Sequence, residues 1–233
     1  MILNILILPI FVATPVSTAV VIDFDATNGK YKWDSPIIPF AIDDTTLLPN
    51  ETHAIRSALR MMEAETCIRF IEDSRPTYHI TFMRAPKHLG RVCKGGVGKS
   101  YWLTMIGFWK CFTKPGYILH EVMHMLGFLH EHQREDRDQH IEVAWKNIEN
   151  TLYRAFIKYN YSQYDFPLTT LDTKYDIKSV MHYEAWRYDG NKTRIIYARD
   201  PSVWNEDIGQ KNRLTPGDIA AINEVYCRPE ILR

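Results

Sequence analysis

His120-Glu121-Val122-Met123-His124-Met125-Leu126-Gly127-Phe128-Leu129-His130 is the stretch around which the rest of the chain is read. His120 and His124 stand four residues apart. On a helix that spacing puts both imidazoles on one face, one turn apart. Two such nitrogens can grip a Zn²⁺ at ~2.0–2.1 Å, but two ligands do not close a tetrahedral shell. Gly127 is where the helix should stop, because glycine tolerates the left-handed backbone that turns the chain. The turn can return His130 as a third nitrogen ligand. A fourth position is then open to water, which marks a catalytic rather than a structural zinc. Glu121 follows the first ligand directly and suits a base that takes a proton from that water.

Paired histidines at helical spacing are often plain surface or core residues, and a bare H-E-x-x-H arises by chance in long chains. The full string H-E-x-x-H-x-x-G-x-x-H fixes five positions and is far more specific; it is the metzincin form of the zinc-protease motif. Further residues narrow the likeness. Glu131 follows His130, and Ser179-Val180-Met181-His182-Tyr183 lies downstream. Thr66-Cys67-Ile68-Arg69-Phe70, Arg134-Glu135-Asp136-Arg137-Asp138 and Gly209-Gln210 with Leu214-Thr215, Asp218, Asn223 and Tyr226-Cys227 agree with it. From about Trp33 to Cys227 the chain resembles the astacin family of zinc endopeptidases.

That resemblance implies an α+β, two-lobed, zincin-like domain. Its N-terminal lobe would carry a twisted, mostly parallel sheet with helices, and its C-terminal lobe would be irregular, with the zinc cleft between them. His120, His124 and His130 would hold one Zn²⁺, and Met181 would form the methionine turn. Glu121 would be the base, and Tyr183 would bind zinc at rest and swing away to donate to the oxyanion. Glu131 would receive the mature N-terminus through a water-linked salt bridge. An exposed edge strand would pair with an extended substrate, a generic use of a sheet edge. Astacins also carry a propeptide with a Phe-x-Gly-Asp aspartate; Phe24-Asp25-Ala26 lacks that pattern, and residues 20–32 leave no room for a long one.

At 233 residues the chain is long enough for a sizeable core, as one domain or two close lobes. Lysine plus arginine and aspartate plus glutamate balance at 28 each. No net field favours nucleic acid or an anionic membrane; the resemblance implies a protein or peptide substrate, which needs no such field. Four cysteines, Cys67, Cys93, Cys111 and Cys227, allow three pairings. The family resemblance selects Cys67–Cys227 and Cys93–Cys111.

Residues 1–19 form a short apolar run with Ser17 and Ala19 at the −3 and −1 positions of a cleavage site. It is too short for a membrane helix and predicts a signal peptide on a secreted protein. No later segment approaches a membrane span. Asn50, Asn160 and Asn191 open glycosylation sequons. Residues 33–228 read as the peptidase domain and 229–233 as a short tail.

Within the domain, Lys32–Asp43 predicts a strand, Thr52–Glu65 an amphipathic helix capped by Thr52 or Asn50, and Tyr78–Met83 a strand. Gly98-Lys99-Ser100 imitates a phosphate loop, but Cys93 stands where that motif needs glycine. Its glycines read better as a turn, followed by a strand over Ser100–Ile106. The zinc helix should begin near Pro115, a residue suited to a helix start. Val143–Tyr159 reads as helix-like, and Asp218–Tyr226 as a last helix. The run from Arg134 to Asp138 fits a solvated face, part of which could brace the active-site turn. His132 and His182 fall outside the ligand spacing and read as ordinary polar residues. Two rivals accompany this reading: a zinc-bound, non-hydrolytic secreted binding protein, and another metzincin branch. The presence of all the chemical residues argues against the first, Glu131 and Tyr183 against the second.

Overall fold

The computed structural model describes residues 19–85, 93–100, 104–107, 109–159, 166–186 and 193–228. Its strands are β1 (Ala19–Ile22), β2 (Ile37–Ile42), β3 (Arg69–Glu72), β4 (Ile80–Arg84), β5 (Cys93–Lys94), β6 (Thr104–Gly107), β7 (Ile141–Val143), β8 (Leu168–Leu171) and β9 (Ile196–Ala198). Its α-helices are α1 (Pro49–Glu65), α2 (Pro115–Met125) and α3 (Pro216–Tyr226). Residues 1–18 of the expected signal peptide, the sequons at Asn160 and Asn191, and the 229–233 tail lie outside the described residues. No helix among the described residues is long and apolar enough to cross a membrane.

The N-terminal half is built on one sheet of order β3-β2-β4-β6-β5. All its pairings are parallel except β5 with β6, which is antiparallel at one edge. Parallel strands need both faces covered, and the β2 and β4 sequences are accordingly apolar. Ile38, Phe40, Ile80 and Phe82 are buried in one cluster with Ile55, Leu59 and Met62 of α1 and Ile118, Leu119 and Val122 of α2. The α1 apolar positions repeat at helical spacing, so one stripe faces the sheet.

The C-terminal half is irregular. It holds the β1–β8 and β7–β9 pairs, several 3₁₀ turns and α3. A second apolar cluster gathers Ile141, Val143, Phe156, Ala185, Ile195, Ile196 and Ile208. These two larger clusters mark the two lobes, and a small third one of Val20, Leu129 and Leu168 lies where β1 and β8 meet the turn after α2. Cys67 is bonded to Cys227 and Cys93 to Cys111. The first bond ties the end of α1 to the end of α3; the second anchors edge strand β5 just ahead of α2.

Three local expectations need correction. Helix α1 starts earlier than expected, with Pro49 in its first turn and Leu48, not Asn50 or Thr52, at the cap position. Glu51 replaces a cap side chain: its carboxylate accepts the Leu48 N–H at 2.9 Å and takes an ion pair from Arg84. Val143–Tyr159 is not an α-helix. It forms two 3₁₀ turns, Trp145–Asn147 and Asn150–Phe156. Its turns close through i→i+3 bonds, Asn147 N–H to Ala144 O and Leu152 N–H to Glu149 O, and its far end is docked on buried partners, with Tyr159 N–H donating to Gln133 O. Arg137 donates to Phe156 O, His132 Nε2 meets Ala155 O and Gln133 Nε2 donates to Ile157 O.

Residues 20–32, set apart from the domain in the sequence reading, are part of the body. Val20, Val21 and Ile22 are buried, β1 pairs with β8 in register from Ala19–Leu171 to Ile22–Leu168, and Trp33 Nε1 donates to Met125 O at 3.0 Å.

Candidate metal centre

Helix α2 carries His120, Glu121 and His124 on buried turns. It ends as Gly127 allows. Gly127 has φ +100°, and a Cβ there would lie 2.6 Å from the Phe24 ring. Its N–H donates to His124 O at 2.8 Å, and the Phe128 N–H reaches Met123 O at 3.0 Å. Strand β1 then pins the turn. Ile22 N–H donates to Gly127 O at 3.1 Å, and Leu129 N–H to Val20 O at 3.0 Å. The chain returns with His130 facing the helix.

The three imidazoles converge. Their nearest ligand atoms lie within 4.8 Å of one another, and His124 Nε2 is 3.1 Å from His130 Nε2. Two nitrogens on one tetrahedral zinc at ~2.0–2.1 Å stand ~3.3 Å apart, so this spacing fits one shared ion. Each Nδ1 is tied outward: His120 to Val180 O at 2.7 Å, His124 to Phe128 O at 2.8 Å and His130 to Gln133 Oε1 at 3.1 Å. An amide oxygen only accepts, so each Nδ1 carries the proton and each Nε2 keeps a bare lone pair. Burial also favours the neutral ring: it holds His120 and His130 well below the ordinary histidine range and His124 at about 4. Neutral imidazoles with fixed outer partners are what a metal requires.

Glu121 is buried on the same helix. Its Oε2 accepts the Gly95 N–H at 2.6 Å. Burial pushes its carboxyl up to about 7, opposed by that bond and by Lys211 and Lys94. The glycine-rich turn after β5 therefore docks on α2, and Gly98 N–H also reaches His124 O at 2.9 Å.

The residues around Met181 are fixed from three sides. Glu131 N–H donates to Met181 O at 3.0 Å, Met181 N–H to Ser179 Oγ at 2.9 Å and Ser179 Oγ to Asp218 Oδ1 at 2.6 Å. Asp218 also accepts from Val180 N and Thr215 N while sitting in the first turn of α3. Two residues beyond Met181, the Tyr183 ring stands 4.8 Å from that of His130 and stacks on His132 at 3.9 Å. The metal centre thus lies where the two apolar clusters meet: Val122 and Met123 belong to one, Tyr183 to the other.

Several neighbours are deeply buried. Glu131 Oε1 accepts from Arg134 Nη1 at 2.7 Å and from Asp176 N at 2.9 Å. Burial pushes its carboxyl up to about 8 against the pull of Arg134. The two arginines of the charge run are interior, Arg134 1% and Arg137 4% exposed, while Glu135 and Asp138 face solvent; the arginines brace the turn after His130. His132 and His182 stay outside the ligand cluster but are fully buried. His182 lies between the Tyr175 hydroxyl and Tyr183 O.

The family model described as Astacin, a peptidase family, matches residues 25–227. The chain belongs to the astacin family. The His120–His124–His130 triad is its zinc site. Relatives include the zinc metalloproteinase nas-9 of Caenorhabditis elegans, 33% identical over 215 residues and 88% of this chain. Blastula protease 10 of Paracentrotus lividus is 31% identical over 84% of this chain. The chain spans 38% and 32% of the length of these two relatives. Among solved structures, High choriolytic enzyme 1, a hatching enzyme zinc-protease of Oryzias latipes, superposes with a TM-score of 0.68 at 26% identity, covering 84% of this chain and 94% of that one. Myroilysin shares the fold at a TM-score of 0.59 and 19% identity, covering 90% and 98%.

The roles that sequence reasoning missed are those of Gly95, Lys211 and Asp218, which hold Glu121 and the backbone around Met181. Asp218 had a local signal: Thr215 and Asp218 form an N-terminal capping box. Lys211 had none, since its partners lie about thirty residues upstream.

Proposed function

We propose that this chain is a zinc-dependent endopeptidase that hydrolyses peptide bonds in protein or peptide substrates. The observation that carries the reading is the outward tethering of all three Nδ1 atoms beside a buried, oriented Glu121. Zinc at such a site supplies Lewis-acid polarisation and makes water a nucleophile near neutral pH.

The chain's own residues do the rest. Glu121, held by the Gly95 N–H, takes a proton from the attacking water and passes it to the leaving amine. Tyr183, standing beside His130, donates its hydroxyl to the developing oxyanion. Edge strand β5 offers backbone groups to an extended peptide.

Glu131 serves the processed N-terminus in this reading. A small cavity lined by Val20, Glu131, Asp176 and Asp218 supports it, since a buried carboxyl group there offers a partner to an α-ammonium. Secretion, with residues 1–19 as the leader, accords with the two disulfides. The test is incubation of zinc-loaded protein with a peptide library, with and without chelator. Cleavage that stops on chelation and returns with zinc is expected; no cleavage by a zinc-loaded protein would favour a binding protein.

A further inference from the structure

Lys211 is 5% exposed, and no step above uses it. A buried ammonium must be paired to be tolerated. Its Nζ donates to Val180 O at 2.6 Å and to His182 O at 2.8 Å. Those two carbonyls bracket Met181. Val180 O is also the oxygen that accepts the His120 Nδ1 proton at 2.7 Å. One carbonyl therefore joins the lysine to the first zinc ligand.

The Lys211 backbone reaches the zinc helix as well. Gly116 N–H donates to Lys211 O at 3.0 Å, and a Cβ on Gly116 would lie 2.3–2.6 Å from Lys211 backbone atoms. Gly209, at φ +59°, brings the same segment against His182 O and Tyr183 O. Nearby carboxylates favour the charge. Burial pulls the ammonium down to about 8, while Glu184, Asp218 and Glu121 oppose that and Lys114 adds to it.

We infer that Lys211 is a positioning residue for the metal centre: its ammonium fixes the Val180 carbonyl that orients His120, and thereby sets how tightly the triad holds zinc. Without Lys211, both carbonyls flanking Met181 lose a charged donor, and the His120 ring is tethered to a looser acceptor. Outer partners of metal-ligating histidines are typically worth ~10–100-fold in metal affinity. The inference rests on the zinc site and adds to it a residue outside the ligand set.

The experiment compares wild type, Lys211→Met and Lys211→Arg. Met keeps the length but loses the charge and the donors; Arg keeps both. Zinc affinity is measured by chelator competition, and ligand geometry by visible absorption of the Co²⁺-substituted proteins. Lys211→Met should bind zinc ~10–100-fold more weakly and shift the Co²⁺ bands, and Lys211→Arg should restore most of the affinity. A folded Lys211→Met protein with wild-type affinity and spectrum overturns the inference. If Lys211→Met does not fold, wild type decides. Coupling is reciprocal, so the ¹⁵Nζ resonance of Lys211 must move when zinc is added, and an unmoved resonance overturns the inference. A wild-type protein that binds no zinc would overturn the metal site itself, and this inference with it.

Discussion

The backbone N–H of Gly95 donates to Glu121 Oε2 at 2.6 Å. One bond thus joins the turn after the edge strand to the carboxylate between two zinc ligands. The backbone can come this close because residue 95 has no side chain. A Cβ there would lie 2.8 Å from Met125 Cε, 3.2 Å from Glu121 O and 3.3 Å from Glu121 Oε2. The edge-strand turn and the Glu121 carboxylate are fixed as one unit.

Gly95→Ala should therefore displace Glu121 while leaving the three imidazoles in place. A misplacement of ~1 Å can cost ~10²-fold in rate. We expect kcat to fall by at least ~10-fold with zinc content unchanged, read from steady-state cleavage beside metal analysis. An unchanged kcat would detach Gly95 from the placement of the base.

Gly116→Ala tests the contact between the start of α2 and residue 211. The added Cβ meets the Lys211 carbonyl carbon at 2.3 Å and its Cα at 2.5 Å, and backbone cannot swing away as a side chain can. Overpacking of this kind costs at least ~1–3 kcal/mol. Urea unfolding should show that loss, although alanine is the better helix former at an unconstrained site. A neutral or stabilising effect would contradict the close approach.

The contrast between these glycines and the histidines shows what was legible in the sequence. The zinc triad was readable because its geometry is local: a helical turn of four residues and a glycine that reverses the chain. Helix α3 was readable from its apolar spacing. The 143–159 segment was not, because its far end is docked on Arg137, His132 and Gln133, and those partners lie 19 to 24 residues upstream. Strand β1 was hidden for a related reason. Its apolar residues continue the apolar run of residues 1–18, and the pairing with β8 and the turn at Gly127 give them a role.

The Cys67–Cys227 bond closes a sequence separation of 160 residues. The chain-entropy model assigns such a closure about 5 kcal/mol, with a disputed mechanism. Replacing both cysteines by alanine should lower the denaturation midpoint far more than replacing Cys93 and Cys111, whose separation is 18 and whose closure is worth about 3 kcal/mol. Equal midpoints for the two double variants would contradict the loop-closure account.

Tyr183→Phe keeps the ring stacked on His132 and removes only the hydroxyl. If that hydroxyl serves the transition state, kcat should fall with little change in KM. Loss of one oxyanion donor is typically worth ~2.7–4 kcal/mol, or ~10²–10³-fold. An unchanged kcat would leave Tyr183 as packing between His132 and Phe156.

The central claim is that zinc held by His120, His124 and His130 and a proton moved by Glu121 together cleave peptides. The most direct measurement is peptide cleavage rate beside zinc content for wild type and Glu121→Ala in one preparation. Glu121 is not a ligand, so the variant should keep about one zinc per chain and its fold. Positioned acid–base assistance is worth ~10²–10⁴-fold, and cleavage should fall by at least that order. A variant that cleaves as fast as wild type, or a wild type that holds zinc and cleaves nothing, would contradict the account.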